Sequence, residues 1–189
     1  MPILRIVFGA VFLAAAFLPA LAADEILDTI DQARKAYQAG DMAGAKQSLD
    51  TAAQLVGQKN AEALAALLPA PLPGWKAEKA ETTSVGVTAF GVTSASRRYT
   101  DSDGRDVQVR ITGDSQLVVQ AAQLFLNPTI AGALGKLIHV AGQLALQTNE
   151  GTINMVVSNK FLLTVDGSAD QAAKLDYAKA VDVAKLSKM

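Results

Sequence analysis

Hydrophobic residues recur at helical spacing along residues 24–68, with one interruption near the middle. The apolar positions repeat every three or four residues on both sides of Gly40 and Asp41. Asp24 and Asp41 stand at the two predicted helix starts, where a carboxylate can accept hydrogen bonds from the free amides of a first turn. The pattern therefore predicts two helices that lie antiparallel as a helical hairpin.

The pattern changes to that of β-strands after Trp75. Residues 106–112 alternate apolar and polar side chains, which is the period of a half-buried strand, and residues 94–100 are predicted to pair with them. Four further short segments follow, at residues 137–141, 144–148, 153–158 and 161–166. Strands spaced this closely must pair antiparallel, so the last four segments are predicted to form a meander.

A last helix is predicted to begin at Ser168, with Gln171 placed to close a capping box. Leu175, Ala178 and Val181 would form part of its inner stripe. An antiparallel sheet that is interrupted by one helix and closed by another belongs to the α+β class. The predicted fold is therefore α+β, with an N-terminal helical hairpin followed by an antiparallel sheet with helices packed on it.

The first residues carry the pattern of an export signal. Arg5 and the amino terminus form a short positive region, residues 6–17 form an uncharged apolar run, and residues 20–22 supply a small-x-small cleavage pattern. We expect cleavage after Ala22 or Ala23 and a periplasmic location. A membrane anchor is the alternative, although the uncharged run barely reaches the spanning length of about 17–25 residues.

Prolines mark the boundary between the hairpin and the sheet. Pro69, Pro71 and Pro73 fix an extended path and lack backbone donors, so the preceding helix must end near Leu68. Trp75, the only tryptophan, is predicted to anchor this linker in the core of the next domain. The predicted parts of the chain are a signal peptide (residues 1–23), a helical hairpin (24–68), a Pro-rich linker (69–73) and an α+β domain (74–189).

Two resemblances bear on fold and function. The stretch ARKAYQAGDMAGAKQSLDTAAQLV resembles a single tetratricopeptide unit, whereas repeat arrays need about three copies to bury a continuous core. Its aromatic, turn and small packing positions are occupied by Tyr37, Gly40, Asp41, Ala45 and Ala52. Residues 74–189, with a leading tryptophan, a hairpin, a helix, a meander and a final helix, resemble the PsbP-like fold of secreted domains. Members of that family mostly act as accessory or binding proteins, and the resemblance implies such a role here.

Composition and motifs exclude several classes of function. The net charge is -1 and no basic cluster exceeds Arg97-Arg98, so nucleic acid is not expected as a partner. The chain has no cysteine, which excludes disulfides and thiolate metal sites. It contains no P-loop, no dinucleotide-binding glycine motif and no nucleophile elbow. We therefore expect no cofactor and assign no catalytic residue.

The stretch RYTDSDGRDVQV, residues 98–109, is the one candidate cation-binding loop. Counted from Asp101, an EF-hand loop requires an oxygen ligand at its fifth position, which is Arg105. Asp103-Gly104 between alternating segments instead favours the turn of a β-hairpin, because glycine accepts the positive φ of a tight turn. His139, the only histidine, has no neighbouring ligands and is predicted to be structural.

An almost uncharged segment extends over residues 115–149, where Lys136 carries the only charge. It contains a predicted helix whose apolar residues cover most of its circumference and leave only a narrow stripe of glutamines. The helix is either buried between the sheet and the hairpin, or it forms an apolar groove for a lipid-like ligand or a docking surface for a protein. The candidate contact residues are Val118, Val119, Leu126 and Ile130.

The function expected from these observations is that of a secreted periplasmic, non-catalytic accessory protein that binds a protein partner. A periplasmic carrier of a small apolar or lipid-like ligand is the alternative. A hydrolase with an unrecognised site is the second alternative. No membrane span is expected once the signal peptide has been removed.

Overall fold

A computed structural model describes residues 24–84, 92–113 and 116–189, without the side chains of Leu117, Leu124, Phe125, Leu126 and Pro128. The predicted signal peptide, residues 1–23, lies outside the described residues. The described helices are α1 (Glu25–Gln38), α2 (Met42–Ala65), α3 (Gln116–Leu126), α4 (Pro128–Leu134), α5 (Gln171–Ala180) and α6 (Val183–Leu186).

The described strands form one antiparallel sheet. They are β1 (Trp75–Ala77), β2 (Glu81–Ser84), β3 (Thr93–Asp101), β4 (Asp106–Gly113), β5 (Gly135–Val140), β6 (Gln143–Thr148), β7 (Ile153–Val157) and β8 (Phe161–Asp166). Their order is β1-β3-β4-β8-β7-β6-β5, and β2 also pairs with β3. The predicted β3–β4 hairpin, the β5–β8 meander and the α+β class are confirmed, whereas β1 and β2 were not predicted.

The hairpin begins as the sequence predicts. Asp24 caps α1 by accepting a hydrogen bond from the N–H of Ile26 at 3.1 Å, and Asp41 caps α2 through the N–H of Gly44 at 2.9 Å. α1 packs against α2, and the later part of α2 packs against β2 and β3. The first part of α2 therefore packs against α1, and its last part packs against the sheet.

One face of the sheet carries the main hydrophobic core. Alternate strand positions such as Tyr99, Ile111 and Leu163 are fully buried there. Leu64 and Leu68 at the end of the hairpin belong to the same cluster, together with residues of α5 and α6. Burying each large apolar side chain contributes about 1.5–3 kcal/mol, so the hairpin end and the sheet stabilise each other through a shared core.

The opposite face of the sheet is covered by the connection from β4 to β5. Leu146 is buried although it points away from its neighbour Ala145, which belongs to the main core. α3 packs against β7 and β8, and its buried Val118 lies outside the main core cluster. The sheet is thus enclosed between α5 and α6 on one face and α3 with α4 on the other.

The uncharged helix predicted after residue 115 is in fact two helices. Asn127 separates them, and its side-chain oxygen accepts hydrogen bonds from the N–H groups of Thr129 at 3.1 Å and Ile130 at 3.3 Å. Pro128 stands in the first turn of α4. The helix breaks here because proline cannot donate to the preceding turn, whereas it suits the start of a new helix.

The single last helix predicted from the sequence is two helices, α5 and α6, and α5 begins later than predicted, which corrects the capping box assigned to Ser168 and Gln171. Asp170 is the N-cap, and its carboxylate accepts a hydrogen bond from a first-turn N–H at 2.9 Å. Ser168 is engaged elsewhere, since its hydroxyl oxygen accepts from the N–H of Asp106 at 2.9 Å. Ser168 also hydrogen-bonds the Asp106 carboxylate, and these bonds lower the pKa of that carboxyl.

Candidate functional site

The seam between the two helices of the hairpin is built from small side chains. Thr29 and Ala33 of α1 are buried, as are Ala45 and Ala52 of α2. The Thr29 hydroxyl donates back to the carbonyl of Glu25 at 2.7 Å, so this polar group needs no partner across the seam. Small residues let the helix axes approach closely, and larger side chains are left outside the contact.

Six large hydrophobic side chains of the hairpin are exposed to solvent. Their exposed fractions lie between 43% and 64%. We call this set the hairpin face: Leu27, Ile30, Tyr37, Met42, Leu49 and Val56. Single exposed hydrophobic residues are ordinary, but a contiguous group is characteristic of an interaction site.

Helix geometry places these residues on one side of the hairpin. Tyr37 follows the buried Ala33 by four positions, and Leu49 follows the buried Ala45 by the same interval. Four residues advance a helix by about 400°, so each exposed residue lies about 40° beyond the buried one. The rotational sense is the same on both helices. Because the helices run antiparallel, the exposed residues of both are brought to the same side of the pair.

The basic residues of the hairpin pair with carboxylates on their own helix. Arg34 lies 2.9 Å from the carboxylate of Asp31, and Lys46 lies 2.6 Å from that of Asp50. Both pairs are solvent-exposed and contribute little to stability. Acidic side chains outnumber basic ones by seven to four over residues 24–68, and each basic side chain is paired on its own helix, so the hairpin face offers a partner mainly apolar contact.

The four contact residues predicted from the sequence do not share one surface. Val118 is 1% exposed and faces the sheet, whereas its neighbour Val119 is 52% exposed. Ile130, on α4, is 42% exposed. The side chain of Leu126 lies outside the described residues. Val119 and Ile130 remain candidates for contact with a partner. Val118 is buried, so it could contact a partner only if α3 rearranged.

The aspartate-rich stretch forms the turn between β3 and β4, as predicted. The Asp101 carboxylate accepts from the N–H groups of Asp103 and Arg105, both at 2.9 Å, and from the guanidinium of Arg105 at 2.8 Å. Burial opposes its ionisation, but the N–H and guanidinium of Arg105 outweigh that effect and lower the pKa of Asp101. The oxygens that a cation would need are thus occupied within the turn.

The described residues hold no group of three or more His, Cys, Asp or Glu side chains that could bind a metal ion. His139 is exposed on β5, where its register partner is Leu144. No carboxylate or second imidazole stands beside it in that pairing.

Two tyrosines whose pKa values are raised by burial hold the proline linker. The Tyr99 hydroxyl donates to the carbonyl of Pro69 at 2.7 Å, and the Tyr177 hydroxyl accepts from the N–H of Leu72 at 3.2 Å. Burial raises the pKa of Tyr99 to about 12 and also raises that of Tyr177. Trp75 packs edge-on against Tyr177 with ring centroids 5.4 Å apart, so it anchors the linker as predicted. Both pKa shifts therefore belong to tyrosines that hold the linker in place.

A shallow groove beside β2, β3 and β4 carries charges of both signs. Its lining residues are Glu78, Lys79, Glu81, Ser96, Arg97, Arg98 and Gln108. Arg98 also approaches the carboxylate of Asp106 at 3.9 Å. A lining of this kind favours polar ligands and water over an apolar molecule.

Within the part of the chain that the structure describes, no helix is long and apolar enough to cross a membrane. Comparisons with protein families, with curated proteins and with solved structures find no match for this chain.

Proposed function

We propose that this chain is a periplasmic, non-catalytic accessory protein that binds another protein through the hairpin face. The observation that carries the proposal is the grouping of six large apolar side chains on one side of α1 and α2. Exposure of such a group to water is unfavourable, and covering it with a partner recovers the free energy of apolar burial.

The occupant that fits this surface is an amphipathic helix of the partner protein. Met42, Leu49 and Val56 are spaced seven residues apart along α2, which is the spacing of a helix–helix seam. Ile30 and Tyr37 show the same spacing along α1. Two such rows side by side form a shallow apolar trough, into which a third helix can insert residues at its i, i+3, i+4 and i+7 positions.

The periplasmic part of the proposal rests on residues 1–23 and has its own test. Mass measurement of the protein from a periplasmic extract should show the loss of about 22 or 23 residues, as signal cleavage predicts. A full-length mass in the membrane fraction would contradict export by cleavage.

No observation on the described residues specifically favours either alternative function. A carrier of an apolar ligand calls for an enclosed apolar cavity, whereas the groove beside β2, β3 and β4 is lined by charged and polar groups. The larger groove between the start of α1 and the later part of α2 places charged side chains such as Glu25 and Lys59 beside Ile26 and Leu55.

A hydrolase calls for a nucleophile and a base within hydrogen-bonding distance. The Ser168 hydroxyl does meet the Asp106 carboxylate, but it also accepts from the N–H of Asp106, so this pair joins the loop before α5 to the start of β4. We therefore put forward the protein-binding role alone.

Site-specific photocrosslinking in the periplasm tests the hairpin face. A photoreactive amino acid at Leu49 should form a discrete adduct with a second protein. The same group at Gln54, an exposed residue of α2 away from the hairpin face, should not. Tyr37→Glu, on the other helix but on the same face, should abolish the Leu49 adduct without changing the melting temperature, because Tyr37 is exposed.

Three outcomes would count against the proposal. Equal adducts at Leu49 and Gln54 would mean that contact is non-specific. An adduct that survives Tyr37→Glu would mean that the two helices do not form one surface. Adducts made only with a second copy of the chain would mean that the hairpin face serves self-association.

A further inference from the structure

The described sheet ends in the two short strands β1 and β2 on one side and in the six-residue strand β5 on the other. At the first edge, β1 and β2 both pair with β3 and cover most of its length. At the other edge β5 is the terminal strand, and its only partner among the described strands is β6. An open edge presents unpaired backbone donors and acceptors, which form a template for another strand.

The register identifies which backbone groups are free. The β5–β6 turn is a two-residue turn at Ala141 and Gly142, both with positive φ, and this type makes the flanking residues a hydrogen-bonded pair. At the other end of the strand, the N–H of Asn149 donates to the carbonyl of Leu134 at 3.2 Å. Both observations give the same hydrogen-bonding pattern, in which the even-numbered residues of β5 exchange backbone hydrogen bonds with β6. The backbone groups of Leu137 and His139 therefore point to the open edge, as does the carbonyl of Gly135, whose N–H donates to the carbonyl of Ala131.

The side chains of β5 do little to block this edge. The strand contains no proline, and its only charged residue, Lys136, shares a sheet face with Ile138, away from that of Leu137. Leu137 and His139 lie on the face that α3 and α4 cover, and both are exposed. Leu134 and Leu144, which flank them, are exposed as well.

We propose that the open edge of β5 binds the β5 edge of a second copy of this chain, in antiparallel orientation about a two-fold axis at Leu137. In that register Leu137 lies opposite Leu137 of the second copy, and Gly135 lies opposite His139. Leu137 exchanges a pair of hydrogen bonds with Leu137 of the second copy, and the N–H of His139 donates to the carbonyl of Gly135 opposite it, whose own N–H stays bonded to Ala131. The two sheets become one continuous sheet.

The chemistry of the strand selects a second copy as the occupant. Any extended chain could supply backbone hydrogen bonds, but this strand is complementary to itself. Lys136 lies opposite Ile138 of the second copy, so the two ammonium groups are kept apart, and the apolar Leu137 side chains meet at the axis. A two-fold dimer of this kind uses the same patch on both copies, which is the commonest arrangement among soluble homo-oligomers. This surface is separate from the hairpin face and does not depend on it.

Charge exchange at Leu137 gives a sharp test, because this residue faces itself across the proposed axis. The purified mature protein should show a concentration-dependent monomer–dimer equilibrium in sedimentation velocity. Leu137→Lys and Leu137→Glu should each weaken dimerisation by about tenfold or more, since like charges then meet. Mixing the two variants should restore a dimer that contains one copy of each. Gln120→Lys, a change at an exposed residue of α3, should leave the equilibrium unchanged.

Cysteine crosslinking tests the register independently, because the chain has no cysteine of its own. Residues opposite each other in a hydrogen-bonded pair have Cα atoms about 5.5 Å apart, within the range for a disulfide. Leu137→Cys should therefore form a covalent dimer on mild oxidation, whereas Gln120→Cys on α3 should remain monomeric.

The proposal would be overturned by a wild-type protein that stays monomeric at all accessible concentrations. A dimer that is indifferent to both charges at Leu137, or a mixture of the two variants that fails to associate, would also overturn it. Crosslinks from Leu137 that form with another protein and not with a second copy would show that the occupant is a foreign strand. The hairpin-face experiment has separate readouts, so the two proposals can fail independently.

Discussion

Replacing Leu64 with alanine would test whether the hairpin and the sheet unfold as one unit. Leu64 is 1% exposed, lies near the end of α2 and belongs to the core cluster of the sheet. The change removes buried methyl groups and leaves a cavity that the surrounding structure only partly fills. Such changes cost about 3–5 kcal/mol. At about 2–4 °C per kcal/mol for a chain of this size, the melting temperature should fall by about 6–20 °C.

The same helix offers a matched control in Leu49. Leu49→Ala makes the identical chemical change, but Leu49 is 55% exposed and lies on the hairpin face. The cost should stay below about 0.5 kcal/mol, because little apolar surface is lost from a packed environment and alanine favours the helix. The difference between the two variants therefore isolates the contact of α2 with the core.

Urea unfolding with two probes would measure the outcome. Trp75 is the only tryptophan and contacts Tyr177, so its fluorescence reports the sheet side of the molecule. Far-UV circular dichroism reports the helices. Leu64→Ala should lower both midpoints by the same amount. An early loss of helical signal with an unchanged fluorescence midpoint would refute the shared core, because it would mean that the hairpin unfolds on its own.

Burial and hydrogen bonding determine the expected outcome at three other places. Since burial raises the pKa of Tyr99 from 10.0 to about 12, stability should fall as pH rises through this window, where the unfolded tyrosine ionises and the folded one does not. Tyr99→Phe should reduce the change in urea midpoint between about pH 9 and pH 11, and an unchanged difference would contradict the assignment. Asp101→Ala should lower the melting temperature more than Asp103→Ala, because Asp101 accepts the turn's N–H groups and Asp103 is largely exposed. Calcium should stabilise neither the parent protein nor these variants, and a calcium-dependent rise in melting temperature would argue for a metal site. Val118→Asp should prevent stable folding whereas Val119→Asp should keep a near-normal urea midpoint, and equal behaviour of the two would contradict the orientation of α3.

Periodicity alone located the elements whose burial is regular. The alternation through Val107, Val109 and Ile111 predicted β4, and these three residues are fully buried in the core. The short gaps between the last four strands predicted the meander, because none of the three gaps leaves room for a crossover. By contrast, β1 and β2 have only three and four residues, and ETTS in β2 shows no apolar alternation. Pairing with the edge of β3 determines their conformation, and local sequence does not report that contact.

In the seam between α1 and α2, side-chain size, and not hydrophobicity, separates the fully buried residues from the exposed ones. Helical spacing marks Ala45 and Leu49 alike as apolar, yet only Ala45 is buried against α1. The exposed face could have been recognised in the sequence from its large apolar residues, which recur every seven positions beside a separate row of alanines. The misplaced cap at Ser168 has a different cause, since Ser168 and Asp170 are both good caps. The choice between them depends on a long-range bond to Asp106.

The alanine seam explains why the hairpin depends on the rest of the protein. Contacts between small residues bury little area, so α1 and α2 alone would be only marginally stable in water. The end of α2 is fixed in the core by Leu64 and Leu68, and the linker that follows is held by the hydrogen bonds from Tyr99 and to Tyr177. The sheet domain thereby holds the hairpin in one orientation while its large apolar side chains stay free. A partner that binds this face meets a surface that is already ordered, and it loses less conformational entropy on binding than a flexible pair of helices would require.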